Sequence, residues 1–258
     1  MANNLSKTQV DKLGDRLRKG DITEADLRLL DDYRRSFSEA YEFVVRAIRD
    51  ELGLEPTGRP AKSTTSIIEK LLRESIRLSQ IQDIAGCRLV VSGIEEQNGT
   101  VTLLQKLFRG VTVVDRRKNP SHGYRAVHLI VRHEGKLVEI QVRTSLQHLW
   151  AELCEKEADV FDPLIKYGGG DSVTTALNLR FAAAIEDTEL KEWQMSLSDK
   201  VLSGLSARRG TLSKSKQAEL DAFLKEQRTW RKKLDSYKKT IRDTLEELIA
   251  ELGNPDRG

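Results

Sequence analysis

Apolar residues in this chain change their spacing twice, and that change limits the possible folds more than any other feature. Across "RAVHLIVRHEGKLVEIQVRT", residues 125–144, apolar and polar side chains alternate with a period of two. That is the pattern of half-buried strands. His133-Glu134-Gly135-Lys136 interrupts the run and predicts a hairpin turn. "IAGCRLVVS" and "GVTVVD" predict two further strands, both rich in β-branched residues.

On both sides of this region the spacing is helical. Leu27, Leu30, Tyr33, Phe37, Tyr41, Val44, Val45 and Ile48 mark one face. An Asp21-x-x-Glu24 or a Thr23-x-x-Asp26 capping pattern opens that stretch, and Gly53, Pro56, Gly58 and Pro60 end it. "STTSIIEKLLRE" predicts a capped helix, residues 95–109 a second, and "SLQHLWAELCEKEAD" a third with a serine cap. Beyond residue 172 the pattern is all helical, with "LSGLSARRGTLSKSK" as the turn between two long helices. In the last helix Leu220, Phe223, Gln227, Trp230, Leu234, Tyr237, Ile241, Leu245, Leu248 and Leu252 recur at three- and four-residue steps. They form a seam that packs against this chain or a second copy. The expected class is α+β, and no internal repeat is present.

Of the 258 residues, 38% are hydrophobic and 32% charged, against a charged share of roughly 25% in soluble proteins. Long solvated helices around a modest core follow. With 43 basic and 40 acidic residues the net charge is only +3, so the chain as a whole is no polyanion sponge. Cys87 and Cys154 match no ligand spacing, and Cys87 reads as a buried thiol. No signal segment opens the chain and no apolar run reaches ~18 residues. A cytoplasmic protein with no membrane partner is expected.

Four polar clusters carry potential chemistry. Lys62, Ser66 and Lys70 sit at a predicted helix N-terminus, where the dipole favours phosphate. Asp83 and Arg88 flank and interrupt an apolar strand; they form either an internal ion pair, with Arg88 reaching Asp83 or Glu139, or a Mg²⁺ ligand and a phosphate clamp. The loop "DRRKNPSHGYRAVH" gathers Arg116, Arg117, Lys118, His122, Arg125 and His128 around Tyr124. It is either a polyphosphate funnel with a base-stacking ring or a basic surface loop anchored by its tyrosine. Last, Val138, Ile140 and Val142 face one way, while Glu139, Gln141 and Arg143 face the other. A solvated face is the common outcome; beside Asp83, Glu139 completes a two-carboxylate site.

Taken in order, "KSTTSIIEKL", "IQDIAGCRLVV", "NPSHGYRAVHLIV" and "VEIQVRTSLQHLWAE" resemble the synthetase domain of the RelA/SpoT family over residues 59–157. The resemblance implies a nucleotidyltransferase-like mixed β-sheet flanked by helices, with helical N- and C-terminal extensions. Residues 1–58, 59–170 and 171–258 are then a helical region, the catalytic core and a long-helix extension. It implies Mg²⁺-dependent transfer of the β,γ-pyrophosphate of ATP to the 3′-hydroxyl of GDP or GTP, giving (p)ppGpp. Lys62, Lys70 and Arg88 would hold the ATP phosphates with Ser66 at the helix start, and Asp83 would bind Mg²⁺. Glu139 would join it or act as base toward the acceptor hydroxyl. Tyr124 would stack on the acceptor base, with His128, Gln141 and Arg143 lining that side and Lys118 and Arg116 guiding phosphates. The family often has Arg-x-Lys before the Ser-Ile helix; Arg59-Pro60-Ala61-Lys62 sets the arginine one residue further off, as an adenine or phosphate contact. The size and flanking helices are similar to small alarmone synthetases, which implies a homo-oligomer. Toxic members imply a second reading, with tRNA 3′-CCA ends or adenosine nucleotides as acceptors and an antitoxin protein as partner.

Overall fold

The computed structural model describes residues 5–20 and 22–253, and the chain divides into two compact units. The first draws on residues up to Val90, Thr100–Asp115 and Val127–Val142; the second takes Val91–Gly99, Arg116–Ala126 and the chain from Arg143 onward.

In the first unit the period-two segments become strands. The order is β1-β2-β5-β4-β3, with β1 at Thr57–Arg59, β2 at Ala85–Val91, β3 at Thr112–Asp115, β4 at Val127–His133 and β5 at Lys136–Thr144. This is the mixed α+β architecture expected. Strands β4 and β5 form the predicted hairpin, with Ile130 opposite Glu139 and His128 opposite Gln141. Glu134 (φ 46°) and Gly135 (φ 78°) both adopt left-handed backbone at the turn, which matches the twist of the flanking strands. On β2 and β5, Ala85, Cys87, Leu89, Val138, Ile140 and Val142 enter one core with Leu104, Leu129 and the helices that come before β2.

Those helices are α1 (Lys7–Lys19), α2 (Glu24–Arg35), α3 (Ser38–Leu52) and α4 (Thr64–Arg73). The single helical face expected from Leu27 to Ile48 is divided: Ser36 donates its hydroxyl to the Tyr33 carbonyl at 2.6 Å, and the chain turns at Phe37. Leu27 is 42% exposed. Asp26 is buried instead, accepting from Arg16 Nε at 2.7 Å and from the Thr23 hydroxyl at 2.8 Å. The Thr23-x-x-Asp26 capping box is present; the Asp21 alternative lies outside the described residues. Arg34 Nε donates to the Lys62 carbonyl at 2.6 Å, fixing the segment that leads into α4.

The second unit is helical. Helix α6 (Ser145–Val160) packs Leu146, Trp150, Leu153 and Cys154 against Ala182 and Ile185 of α7 (Ser172–Ala207) and Ile241 and Leu245 of α8 (Lys214–Leu252). The first turns of α5 (Ile94–Leu107) also fall here. The cap of α6 is Thr144, not the expected Ser145: the strand ends extended at Thr144, whose Oγ1 accepts from the Gln147 N–H. Contacts of Lys238 with Glu192 and of Arg231 with Asp199 pair rising with falling residue numbers, so α7 and α8 run antiparallel. The α8 seam is buried at Leu220, Ile241 and Leu245, but Phe223, Trp230 and Tyr237 are about half exposed. Among the described residues no helix is long and apolar enough to cross a membrane.

Candidate active site

In the first unit, Ser63 caps α4 by accepting from the Ser66 N–H at 3.2 Å, and its hydroxyl meets that of Ser66 at 2.7 Å. One turn further on, Lys70 projects toward the start of β2. There Asp83 takes Lys62 Nζ on Oδ2 at 2.7 Å and Lys70 Nζ on Oδ1 at 2.9 Å. Burial opposes ionisation of Asp83, but the two ammonium groups outweigh it and hold the carboxyl down at about 2. The expected first cluster and the acid of the second are therefore one constellation. Arg88 is half-buried in the middle of β2, and Arg59 is exposed on the short edge strand β1.

The polar face of β5 is not solvated: Glu139 is 9% and Arg143 4% exposed. Glu139 Oε1 meets His128 Nδ1 at 2.7 Å, and Oε2 accepts from Gln141 Nε2 at 2.7 Å. Burial pushes this carboxyl up, yet the bonds from His128 and Gln141 leave it below its ordinary value, against a smaller opposing push from the charge on Asp83. The two acids thus sense each other, and both are carboxylates at neutral pH. A Cβ at Gly86 would lie 3.1 Å from the Glu139 carbonyl oxygen, so the glycine lets β2 run close against the backbone of β5 at the acid.

These donors fit Mg²⁺, which binds one or two carboxylates and takes its remaining ligands from water and phosphate. Among the described residues no group of three or more His, Cys, Asp or Glu gathers into a cage. Asp83 and Glu139 would hold such an ion only together with a phosphate-bearing ligand. Lys62 and Lys70, which balance Asp83 now, are of the charge to take up phosphate oxygens then.

The remaining expected residues belong to the second unit. Arg143 Nη2 donates to the Tyr124 hydroxyl at 2.9 Å, and its guanidinium lies 5.0 Å from the ring centroid. Tyr124 also packs against the α6–α7–α8 cluster, so the anchoring role considered for it is present. Arg116 and Lys118 are exposed. Two cations of the loop are committed to structure: Arg117 donates to Gln97 Oε1 at 3.0 Å and Asn98 Oδ1 at 2.8 Å, and Arg125 pairs with Glu186 at 2.8 Å. Glu189, which sequence reasoning passed over, lies at the centre of these contacts and is only 3% exposed. Its signal was present: Asn178, Ala182, Ile185 and Glu189 share the buried face of α7 at helical spacing.

Residues 58–158 match the family described as the region found in RelA / SpoT proteins. An uncharacterized protein of Mycobacterium tuberculosis is 39% identical over 111 residues, 42% of this chain and 41% of that protein. A guanosine-3′,5′-bis(diphosphate) 3′-pyrophosphohydrolase of Aquifex aeolicus is 34% identical over 119 residues, 43% of this chain and 17% of that one. Among solved structures, the small alarmone synthetase 1 of Bacillus subtilis aligns at 25% identity and a TM-score of 0.49, covering 69% of this chain and 99% of that one. The chain spans about two fifths of the length of the mycobacterial relative.

Proposed function

With residues 58–158 a RelA/SpoT region, we propose that the chain is an ATP-dependent pyrophosphokinase that moves the β,γ-pyrophosphate of ATP onto the 3′-hydroxyl of GDP or GTP. The observation that carries this reading is the pair of ionised acids in the sheet unit. Asp83 is bracketed by Lys62, just before α4, and Lys70, in its last turn, and Glu139 is held by His128 and Gln141.

Transfer joins two polyanions, so the work is positioning and charge neutralisation. Lys62 and Lys70 hold the donor phosphates, with Arg88 and Arg59 as further contacts, and the N–H groups of α4 beside Ser66 add their dipole. Asp83, with or without Glu139, would hold Mg²⁺, which would supply charge neutralisation on the transferring group. The acceptor 3′-oxygen forms a bond to the β-phosphorus, the bridge to the α-phosphate breaks, and AMP leaves. Glu139 either joins Asp83 on the ion or, as base, takes the hydroxyl proton; His128 and Gln141 orient its two oxygens for either task. In the second unit, Tyr124 and Arg143 serve the acceptor base, and the exposed Arg116 and Lys118 serve its phosphates.

The test is incubation with γ-³²P-labelled ATP, Mg²⁺ and GDP, GTP or bulk tRNA. Label should enter the guanosine nucleotide and, in Glu139→Gln, fall by at least ~100-fold, the usual scale for losing a catalytic base. Label in tRNA alone would move the acceptor assignment to the tRNA end, and the antitoxin partner expected of toxic relatives would follow. Undiminished transfer by Glu139→Gln would remove Glu139 from the reaction.

A further inference from the structure

Arg143 and Tyr124 touch each other at 2.9 Å, and their next neighbours in the chain, Thr144 and Arg125, both reach one buried carboxylate. Glu189 Oε1 accepts from the Thr144 hydroxyl at 2.7 Å and from Gln147 Nε2 at 2.8 Å. Its Oε2 accepts from Gln147 Nε2 at 3.0 Å and stands 3.7 Å from Arg125 Nε. Gln147 Oε1 in turn accepts from Gln97 Nε2 at 2.9 Å, and Gln97 Oε1 receives Arg117. Arg125 also donates to the Arg117 carbonyl at 3.3 Å. One acid on α7 thereby ties together the end of β5, the first turn of α6, and the loop of residues 116–126.

We propose that Glu189 is a positioning residue for the acceptor: its carboxylate fixes the separation between the segment bearing Arg143 and the loop bearing Tyr124. The assignment rests on the pyrophosphokinase reading, and Glu189 lies outside the stretch that matches the family. A buried carboxylate is costly unless its partners are well placed. Here two of those partners, Thr144 and Arg125, adjoin the residues assigned to the acceptor, and none adjoins the lysines assigned to ATP. Its influence is therefore selective. Disturbing Glu189 changes the seat of the acceptor and leaves the Lys62–Asp83–Lys70 group as it is.

The wild-type chain, Glu189→Gln and Thr144→Val are compared by calorimetric binding of GDP and of a non-hydrolysable ATP analogue, and by KM for each substrate. The glutamine variant sets an amide against the donors of Gln147 and Arg125; the valine variant removes the hydroxyl, and with it the α6 cap, without altering charge. Both should weaken GDP binding and raise the acceptor KM about ten-fold, equivalent to ~1.4 kcal/mol, with the ATP values within about two-fold of wild type. Two variants guard against one failing to fold, since a folded Thr144→Val with unchanged acceptor affinity overturns the proposal by itself. So does a parallel loss for both nucleotides, the mark of a merely structural role. A wild-type chain that binds neither nucleotide sinks the pyrophosphokinase reading and this role with it. Wild-type binding of both, left unmoved in the variants, sinks only Glu189.

Discussion

Asp83 illustrates how a single acid serves both stability and chemistry. Held at about 2 by Lys62 and Lys70 against an ordinary 3.8, it is depressed in the folded state. Its contribution is thus fully present above about pH 4 and is lost as pH falls toward 2; the shift corresponds to about 2 kcal/mol. Asp83→Asn should be less stable than wild type by roughly that amount at pH 7, and the gap should shrink to about 0.4 kcal/mol by pH 2, where half of the wild-type carboxyl is protonated. Urea melts across that range measure it; a gap independent of pH would mean the lysines do not set the acid's ionisation. At this scale the sequence was half legible. The lysine spacing at α4 and the acid at the start of β2 stood out separately, yet their union depends on where the sheet places β2. The alternating face of β5 reads in sequence like any solvated strand face. Only the fold shows that Glu139 and Arg143 are buried. Arg117 and Arg125 are opaque for the converse reason: a dense run of cations does not reveal which of them are spent on side chains of α5 and α7.

Elements were the most legible level wherever one residue decides a boundary. The hairpin turn, the Ser63 cap and the stop after α3 are written in local chemistry: left-handed Glu134-Gly135, a hydroxyl before a helical run, and Gly53 at φ 62°. Less legible was the division between α2 and α3, because the apolar spacing continues across Ser36 while the backbone does not. The α8 seam, too, is one pattern with two outcomes. Leu245 is fully buried among the α6 and α7 side chains, whereas Trp230 is 56% exposed on the same repeat. Leu245→Ala should cost about 2–5 kcal/mol from lost burial and the cavity left behind. Trp230→Ala should stay within about 0.5 kcal/mol, as exposed substitutions do. Chemical denaturation of dilute protein separates them; equal costs would mean that the exposed stretch is packed in solution.

For the whole molecule, sequence order is a poor guide to the compact units. Each unit is assembled from separate stretches, and the chain passes from one to the other several times between Val90 and Arg143. Removing the two long helices therefore trims the second unit and leaves its remainder incomplete. Helix α6 would keep Leu146, Trp150, Leu153 and Cys154 but lose Ala182, Ile185, Ile241 and Leu245 from the same cluster. Each large apolar side chain returned to water costs about 1.5–3 kcal/mol, and Glu189 would leave the buried amide and hydroxyl of Gln147 and Thr144 without their acceptor. A chain ended at Asp171 retains Trp150 as its only tryptophan, since Trp193 and Trp230 lie beyond the cut. In the full chain Trp150 is buried and donates to the Asn178 carbonyl at 2.9 Å. The shortened chain should show red-shifted tryptophan emission, bind a hydrophobic dye and transfer no label from ATP to GDP. Blue-shifted emission with intact transfer would mean that α7 and α8 are dispensable to the unit that carries Tyr124 and Arg143. In that case Glu189 could not be the residue that holds them.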